Sequence, residues 1–176
     1  IILRGVNMLS EKLEKSLNDQ ITFEFYSSYT YLAMSAFCES SDLSGFANFF
    51  RVQAKEELDH AMKLYDYVFQ KGGKVVLGEI EQPKKEYDSM VDLFETGLSH
   101  ERIVTNRIYD ITDIATEERE HATISFLKWF IDEQVEEENN FSSLLKKVKR
   151  CENNSAALYM LDDELANRTY VAPATN

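Results

Sequence analysis

Only two prolines and six glycines punctuate the 176 residues of this chain. So few turn-forming residues favour a small number of long elements, against the frequent turns of a β-sandwich or an alternating α/β fold. Residues recurring at steps of three and four mark those elements as helices. Segment one runs from about Ser10, a plausible N-cap, to Cys38, with Leu13, Leu17, Gln20, Glu24, Ser28, Tyr31 and Ser35 on one stripe. Segment two, about Leu43 to Lys71 with Ser41 or Asp42 near its cap, aligns Phe46, Phe50, Gln53, Glu57, Ala61, Leu64 and Val68. Gly72 and Gly73 suit its C-terminal end. Segment three, about Tyr87 to Ala115, aligns Tyr87, Val91, Phe94, Leu98, Glu101, Val104, Ile108 and Ile111. Segment four, about Glu117 to Lys149 with Thr116 as its cap, aligns Leu127, Phe130, Ile131, Gln134, Glu137, Phe141, Leu144 and Val148. A short fifth helix, about Ser155 to Asn167, carries Leu158, Leu161 and Leu165.

At 1.5 Å per residue each main helix is about 40–45 Å long. Very short links make segments one and two, and three and four, antiparallel hairpins. The roughly 15 residues from Gly72 to Glu86 reach about 50 Å when extended, enough to travel the length of a bundle. The expected architecture is therefore all-α: a four-helix bundle with one long crossover and a short fifth C-terminal helix. Met8, Leu9 and Ser10 read as a natural start. Residues 1–7 are accordingly set apart as extra, 8–168 as the single domain and 169–176 as a tail.

Glu24 is the one charged residue between Gln20 and Cys38, and it lies on the stripe that faces the core. A bare buried carboxylate is costly and needs a partner. Glu57 and His60, three apart, share a face of segment two; Glu101 sits in the stripe of segment three, and Gln134 and Glu137 in that of segment four. Glu24 to Glu57 spans 33 positions, as does Glu101 to Gln134, so the second hairpin repeats the first at an offset of 77. Two such hairpins about a pseudo-twofold axis bring these groups together at mid-bundle, where they repel unless cations lie between them. An oxygen-rich set with one imidazole suits iron or manganese better than structural zinc. Spacing alone is weak: Glu118 and His121 are also three apart, but they have no counterpart at the 77 offset and read as surface residues near a helix start. His100, beside Glu101, reads as structural.

The stretches FEFYSSYTYLAMSAFC around Glu24, RVQAKEELDH around Glu57 and His60, SHERI around Glu101 and FLKWFIDEQVEEE around Gln134 resemble the prokaryotic non-haem ferritins. The resemblance covers nearly all of Met8 to Arg168. Ferritin-like di-iron bundles draw one Glu from each of two helices and Glu-x-x-His from the others. The resemblance implies one iron held by Glu24, Glu57 and His60, with Glu57 bridging to a second held mainly by Glu101, Glu137 completing it and Gln134 close by. It also implies a third iron site at Glu56, Glu133, Glu136 and Glu137, although Glu56, Glu133 and Glu136 by themselves read as a solvated acidic face. Tyr31, two turns after Glu24, resembles the family's tyrosine beside the di-iron site, there to hydrogen-bond or donate an electron; a core tyrosine with a satisfied hydroxyl is the plainer alternative. The implied activity is that of a ferroxidase. Fe(II) is oxidised by O₂ or peroxide, and Fe(III) is stored as mineral in the cavity of a homo-oligomeric 24-mer whose fourfold contacts involve the fifth helix.

Departures from related patterns sharpen this expectation. Gln134 and Glu137 replace a second Glu-x-x-His, away from rubrerythrin-like and bacterioferritin-like sites. Leu58 stands where bacterioferritins carry a haem-ligating Met, so no haem is expected. Ile124 and Leu127 stand where animal ferritins place the acids of the threefold channel, so iron entry must use another route or different acids.

The net charge of −12 disfavours nucleic acid and anionic membranes as partners and suits cations. Cys38 and Cys151 lie far apart without a CxxC pattern, against a disulfide scaffold or a rubredoxin-type site and in keeping with a reducing cytoplasm. No apolar run has the length of a signal segment or a membrane span. Two other readings compete. A shell-less di-iron enzyme such as a rubrerythrin-like peroxidase is disfavoured by the isolated cysteines, and a metal-free signalling or scaffold bundle by the acids in its stripes.

Overall fold

Three helix starts, at Ser10, Ser89 and Asn154, fall where a side chain takes up a free amide of the first turn. The computed structural model describes residues 8–172, so the segment 1–7 and the end of the tail, 173–176, lie outside the described residues. Five helices order the described chain: α1 Glu11–Ser40, α2 Ser44–Gln70, α3 Met90–Glu117, α4 His121–Cys151 and α5 Ser155–Ala166. Ser10 caps α1 as expected, its Oγ accepting from the Leu13 amide at 3.0 Å and donating to Glu118 Oε1 at 2.8 Å. Ser10→Ala should therefore lower stability by about 1 kcal/mol, read from denaturant or thermal unfolding.

Other ends differ from expectation for identifiable reasons. Ser89, not a residue before Tyr87, starts α3, because its Oγ accepts from the Asp92 amide at 3.1 Å. Thr116 is no cap: its hydroxyl bonds back to the Thr112 carbonyl, and α3 continues through Glu117. The turn into α4 is made by Arg119 at φ 57°. Neither Ser41 nor Asp42 caps α2; its N-cap position is Leu43, without a side-chain bond. The first turn of α2 is completed from elsewhere, the Phe46 amide donating to Asp162 Oδ1 of α5 at 2.8 Å. Gly45 permits that approach, since a Cβ there would sit 1.8 Å from the Asp162 carbonyl oxygen. Gly72, at φ 70°, follows the α2 C-cap in the left-handed conformation glycine favours.

The connection after α2 runs along α1. Lys74 and Val76 bond to Asn18, and the Gly78 amide donates to Thr22; further on, Tyr87 packs edge-on against Phe37. The chain is thus returned to the far end of α1, and α3 descends antiparallel to it, pairing Glu101 with Tyr31, Arg107 with Gln20 and Glu118 with Ser10. This is the expected crossover, with α2 and α3 parallel.

Two apolar clusters fill the bundle. One gathers Met34, Phe46, Phe50, Phe94 and Phe141, and the other Leu13, Leu17, Leu64, Ile108 and Phe130. Leu127 is wholly buried in the second cluster, so its side chain cannot line a channel. Between the clusters lies a buried polar layer containing Gln20, Glu24, Gln53, Glu57, His60, Glu101, Gln134 and Glu137. Among the described residues no helix is long and apolar enough to cross a membrane.

Candidate metal centre

Helical phase puts Glu24 of α1 and Glu57 and His60 of α2 on the inward faces of one hairpin. One ligand atom from each lies within 4.8 Å of the others, and all three residues are buried. Gln20 Nε2 donates to Glu24 Oε1 at 2.7 Å, while Glu24 Oε2 has no hydrogen-bond partner. His60 Nδ1 also lacks one, although Glu57 Oε2 lies 3.3 Å away and attracts it electrostatically. Two unsatisfied buried atoms, one oxygen and one nitrogen, beside the second carboxylate, Glu57, form an O, O, N donor set, which fits an iron ion. Among the described residues no second group of three closes as tightly.

The second hairpin contributes its groups alongside. Glu101 is fully buried; Tyr31 Oη donates to its Oε1, and Gln134 Nε2 donates to its Oε2 at 3.1 Å. Gln134 therefore turns its amide nitrogen, which is no metal ligand, toward Glu101. Glu137 accepts from Gln53 Nε2 at 2.9 Å, and the same nitrogen donates to Glu57 Oε1 at 3.1 Å. Glu101 and Glu137 thus sit beside the Glu24–Glu57–His60 trio, linked to neighbours by amide and phenol rather than to the trio itself. The other acids are more dispersed. Half-buried Glu133 lies 4.0 Å from His60 Nε2, Glu56 is paired with Arg168 at 2.5 Å, and Glu136 is exposed.

Charge crowding shapes the titration of this layer. Burial first, and then the Glu57 charge, push Glu24 and Glu137 each up to about 8. The same two causes, with Glu137, hold Glu101 well above its usual range. Burial opposes ionisation of Glu57, but the adjacent His60 outweighs it and holds Glu57 low. Burial also works against a charged His60, yet Glu57 and Glu24 raise it to about 10. Burial and the Glu101 charge keep the Tyr31 phenol protonated well above its ordinary range. Burial lifts Glu56 and Glu133 as well. Protons therefore carry part of the compensating charge that cations would otherwise supply.

His100 is structural: its Nε2 lies 2.8 Å from Ser27 Oγ, its ring stacks on Phe23, and burial lowers its pKa. Glu118 and His121 are exposed, as expected of surface residues.

Gln20 and Gln53 lie on the stripes, where the helical pattern alone gives them no role. Each stands four residues before a buried Glu, so the 33-residue offset that relates Glu24 to Glu57 relates them too. Arg107 Nε donates to Gln20 Oε1 at 2.7 Å and Arg168 Nη1 to Gln53 Oε1 at 3.0 Å. Each arginine claims the amide oxygen and so leaves the amide nitrogen for the carboxylate. Nothing in the helical pattern marks either arginine. The pattern is equally silent on Trp129, which lies edge-on to His60 with ring centroids 5.4 Å apart.

Comparison with known proteins places the chain among well-defined neighbours. Residues 14–151 match the family model described as Ferritin, ferritin-like domain. A bacterial non-heme ferritin of Staphylococcus saprophyticus is 44% identical over 93% of this chain and 98% of its own length. The Staphylococcus aureus protein of the same name is 42% identical over the same shares. Among solved structures, the open pore ferritin of the hyperthermophilic archaeon Archaeoglobus fulgidus is 43% identical, with a TM-score of 0.90 over 92% of this chain and 98% of that one. A closed form of that ferritin engineered by site-directed mutagenesis superposes with a TM-score of 0.91 over 93% of this chain and 99% of its own.

Proposed function

The chain belongs to the ferritin family, and from that premise we propose that it stores iron, oxidising Fe(II) at its mid-bundle carboxylates and keeping the Fe(III) as mineral inside a 24-mer. The observation that carries this reading is the buried trio Glu24, Glu57 and His60, whose Glu24 Oε2 and His60 Nδ1 have no partner. Glu24 and His60 hold one Fe(II), and Glu57 bridges to a second held by Glu101 and Glu137. Fe(II) takes the place of the protons that hold these acids neutral, so binding releases protons. Two Fe(II) ions give two electrons to one O₂, which takes up two protons and leaves as hydrogen peroxide. Peroxide is itself an oxidant for further Fe(II).

The surrounding side chains position this donor set. Gln20 and Gln53 hold the Glu24 and Glu57 carboxylates through their amide nitrogens. Tyr31, bonded to Glu101 and stacked near Phe50 and Phe141, holds that carboxylate in place. The negative surface steers Fe(II) toward the protein, and the free thiols of Cys38 and Cys151 favour a cytoplasmic setting.

The decisive test is native mass with iron content. A particle of roughly 490 kDa, twenty-four copies of a 20.4 kDa chain, that accumulates many iron ions per subunit after aerobic Fe(II) addition is the expected result. A dimer that stops at two iron ions per chain favours the shell-less peroxidase instead.

A further inference from the structure

The tail beyond α5 turns back along α2 and is pinned on both sides of one arginine. Upstream, Asn48 Nδ2 donates to the carbonyls of Leu165 and Arg168 at 3.1 and 2.9 Å. Downstream, Tyr170 Oη donates to Asp59 Oδ2 at 2.5 Å, with Lys55 above the tyrosine ring. Between these anchors the Arg168 guanidinium donates to Glu56 Oε2 at 2.5 Å, to Gln53 Oε1 at 3.0 Å and to the Phe49 carbonyl at 3.3 Å. Its Cζ lies over the Phe49 ring, 4.4 Å from the centroid. Both partners of the Arg168–Glu56 pair are about three-quarters buried.

We propose that Arg168 is a tethered cation occupying the carboxylate of Glu56, so that the seated tail keeps a third Fe(II) from binding beside the two-ion centre. This rests on the two-ion reading above and concerns the regulation of that same site. A guanidinium seated on that carboxylate already neutralises it and repels an incoming divalent cation at close range. A guanidinium remains charged at every physiological pH, so acidity does not release it. Its fork bonds Glu56 and Gln53 together, and its position over the Phe49 ring adds a cation–π contact. Among the described residues neither Glu133, which has only the His60 ring at 4.0 Å, nor Glu136 is paired with a guanidinium or an ammonium, and the two alone fall short of a closed site. The same contact has a second effect. With Oε1 held by Arg168, Gln53 presents its amide nitrogen to Glu57 and Glu137. A third ion therefore enters when the tail lifts and frees both Glu56 and Gln53.

The test is anaerobic equilibrium dialysis of Fe(II) against the assembled, iron-free protein, which counts bound ions without turnover. Wild type should bind two ions per subunit and Arg168→Ala three. Arg168→Ala combined with Glu56→Gln should return to two, which a merely structural role of the tail would not produce. Tyr170→Phe keeps the guanidinium but removes the bond to Asp59 that anchors the tail, and should take up a third ion only at an Fe(II) concentration about ten-fold above the one that fills it in Arg168→Ala. Three ions on wild type, two on Arg168→Ala, or three on the double variant each overturn the inference while leaving the two-ion centre standing. Wild type that binds no Fe(II) removes the centre itself, and this inference with it.

Discussion

Glu57→Ala abolishes rapid Fe(II) oxidation, lowering the initial rate at least roughly 100-fold, while the helical circular dichroism and the assembly stay unchanged. Loss of a supporting group near a metal already costs about 10–100-fold, and loss of a bridging ligand exceeds that. Glu57 occupies the electrostatic centre of the polar layer. It approaches His60 at 3.3 Å, accepts from Gln53, and its charge raises Glu24, Glu101 and Glu137. Truncation removes the shared ligand and leaves His60 facing Glu24 and, at 4.0 Å, Glu133. The fold survives because the two apolar clusters on either side do not depend on this carboxylate. Glu118→Ala, at the exposed Glu-x-x-His spacing, should oxidise iron at the wild-type rate. Stopped-flow absorbance after anaerobic loading distinguishes the two variants, and full-rate oxidation by Glu57→Ala would remove the assignment of the centre.

The iron-free protein should lose stability steadily between pH 5 and pH 9, and a divalent cation should restore most of it. Glu24 and Glu137 have folded values of about 8 against 4.5 for the ordinary carboxyl. The folded state therefore holds more protons than the unfolded chain between those limits, and stability falls as pH rises through 8. His60, raised to about 10 from 6.5, acts in the same direction: its contribution is complete below 6.5 and is lost as pH climbs through 10. Glu57, held low, contributes only above its ordinary range and loses that contribution on acidification, outside this window. Metal reverses the trend, since ligation requires the deprotonated carboxylates and tightens with pH. Thermal unfolding of the iron-free protein at pH 5, 7 and 9, with and without Zn(II) as an oxidation-inert probe, checks both signs. Glu24→Gln should flatten the slope and raise the iron-free melting temperature, while weakening the response to metal. A melting temperature that is level or rising across this range would contradict the charge balance of the layer.

What could be read from residue order alone follows from period. Four stripes at helical spacing locate α1 to α4, and acids set into those stripes stand out because they contradict the apolar pattern around them. The 33 and 77 offsets then pair Glu24 with Glu101 and Glu57 with Gln134 before any coordinates. Helix ends were less legible where composition is ambivalent. Thr116, Glu117 and Glu118 suit a helix end and a helix start equally, and the break is made by Arg119, whose left-handed backbone has no glycine to announce it. Tyr87 keeps the phase of α3 and is buried, yet it precedes the Ser89 cap. The bond between Gln134 and Glu101 joins two helices, so their spacing could indicate only proximity, not which amide atom faces the acid. Arg168 lies beyond the last stripe. Its role depends on a tail that folds back across α2, which no local pattern encodes.

The capping of α2 by Asp162 has a consequence for the order in which the molecule is made. The amide that needs the cap belongs to Phe46, and the carboxylate that supplies it comes 116 positions later. While the chain is still emerging from the ribosome, the second helix lacks the group that finishes its first turn. Its beginning stays frayed until nearly all of the protein has been synthesised, so closure of that corner is a post-translational event. A chain ending before residue 162 would carry the whole metal centre on helices already present, yet never complete the corner from which one of them starts.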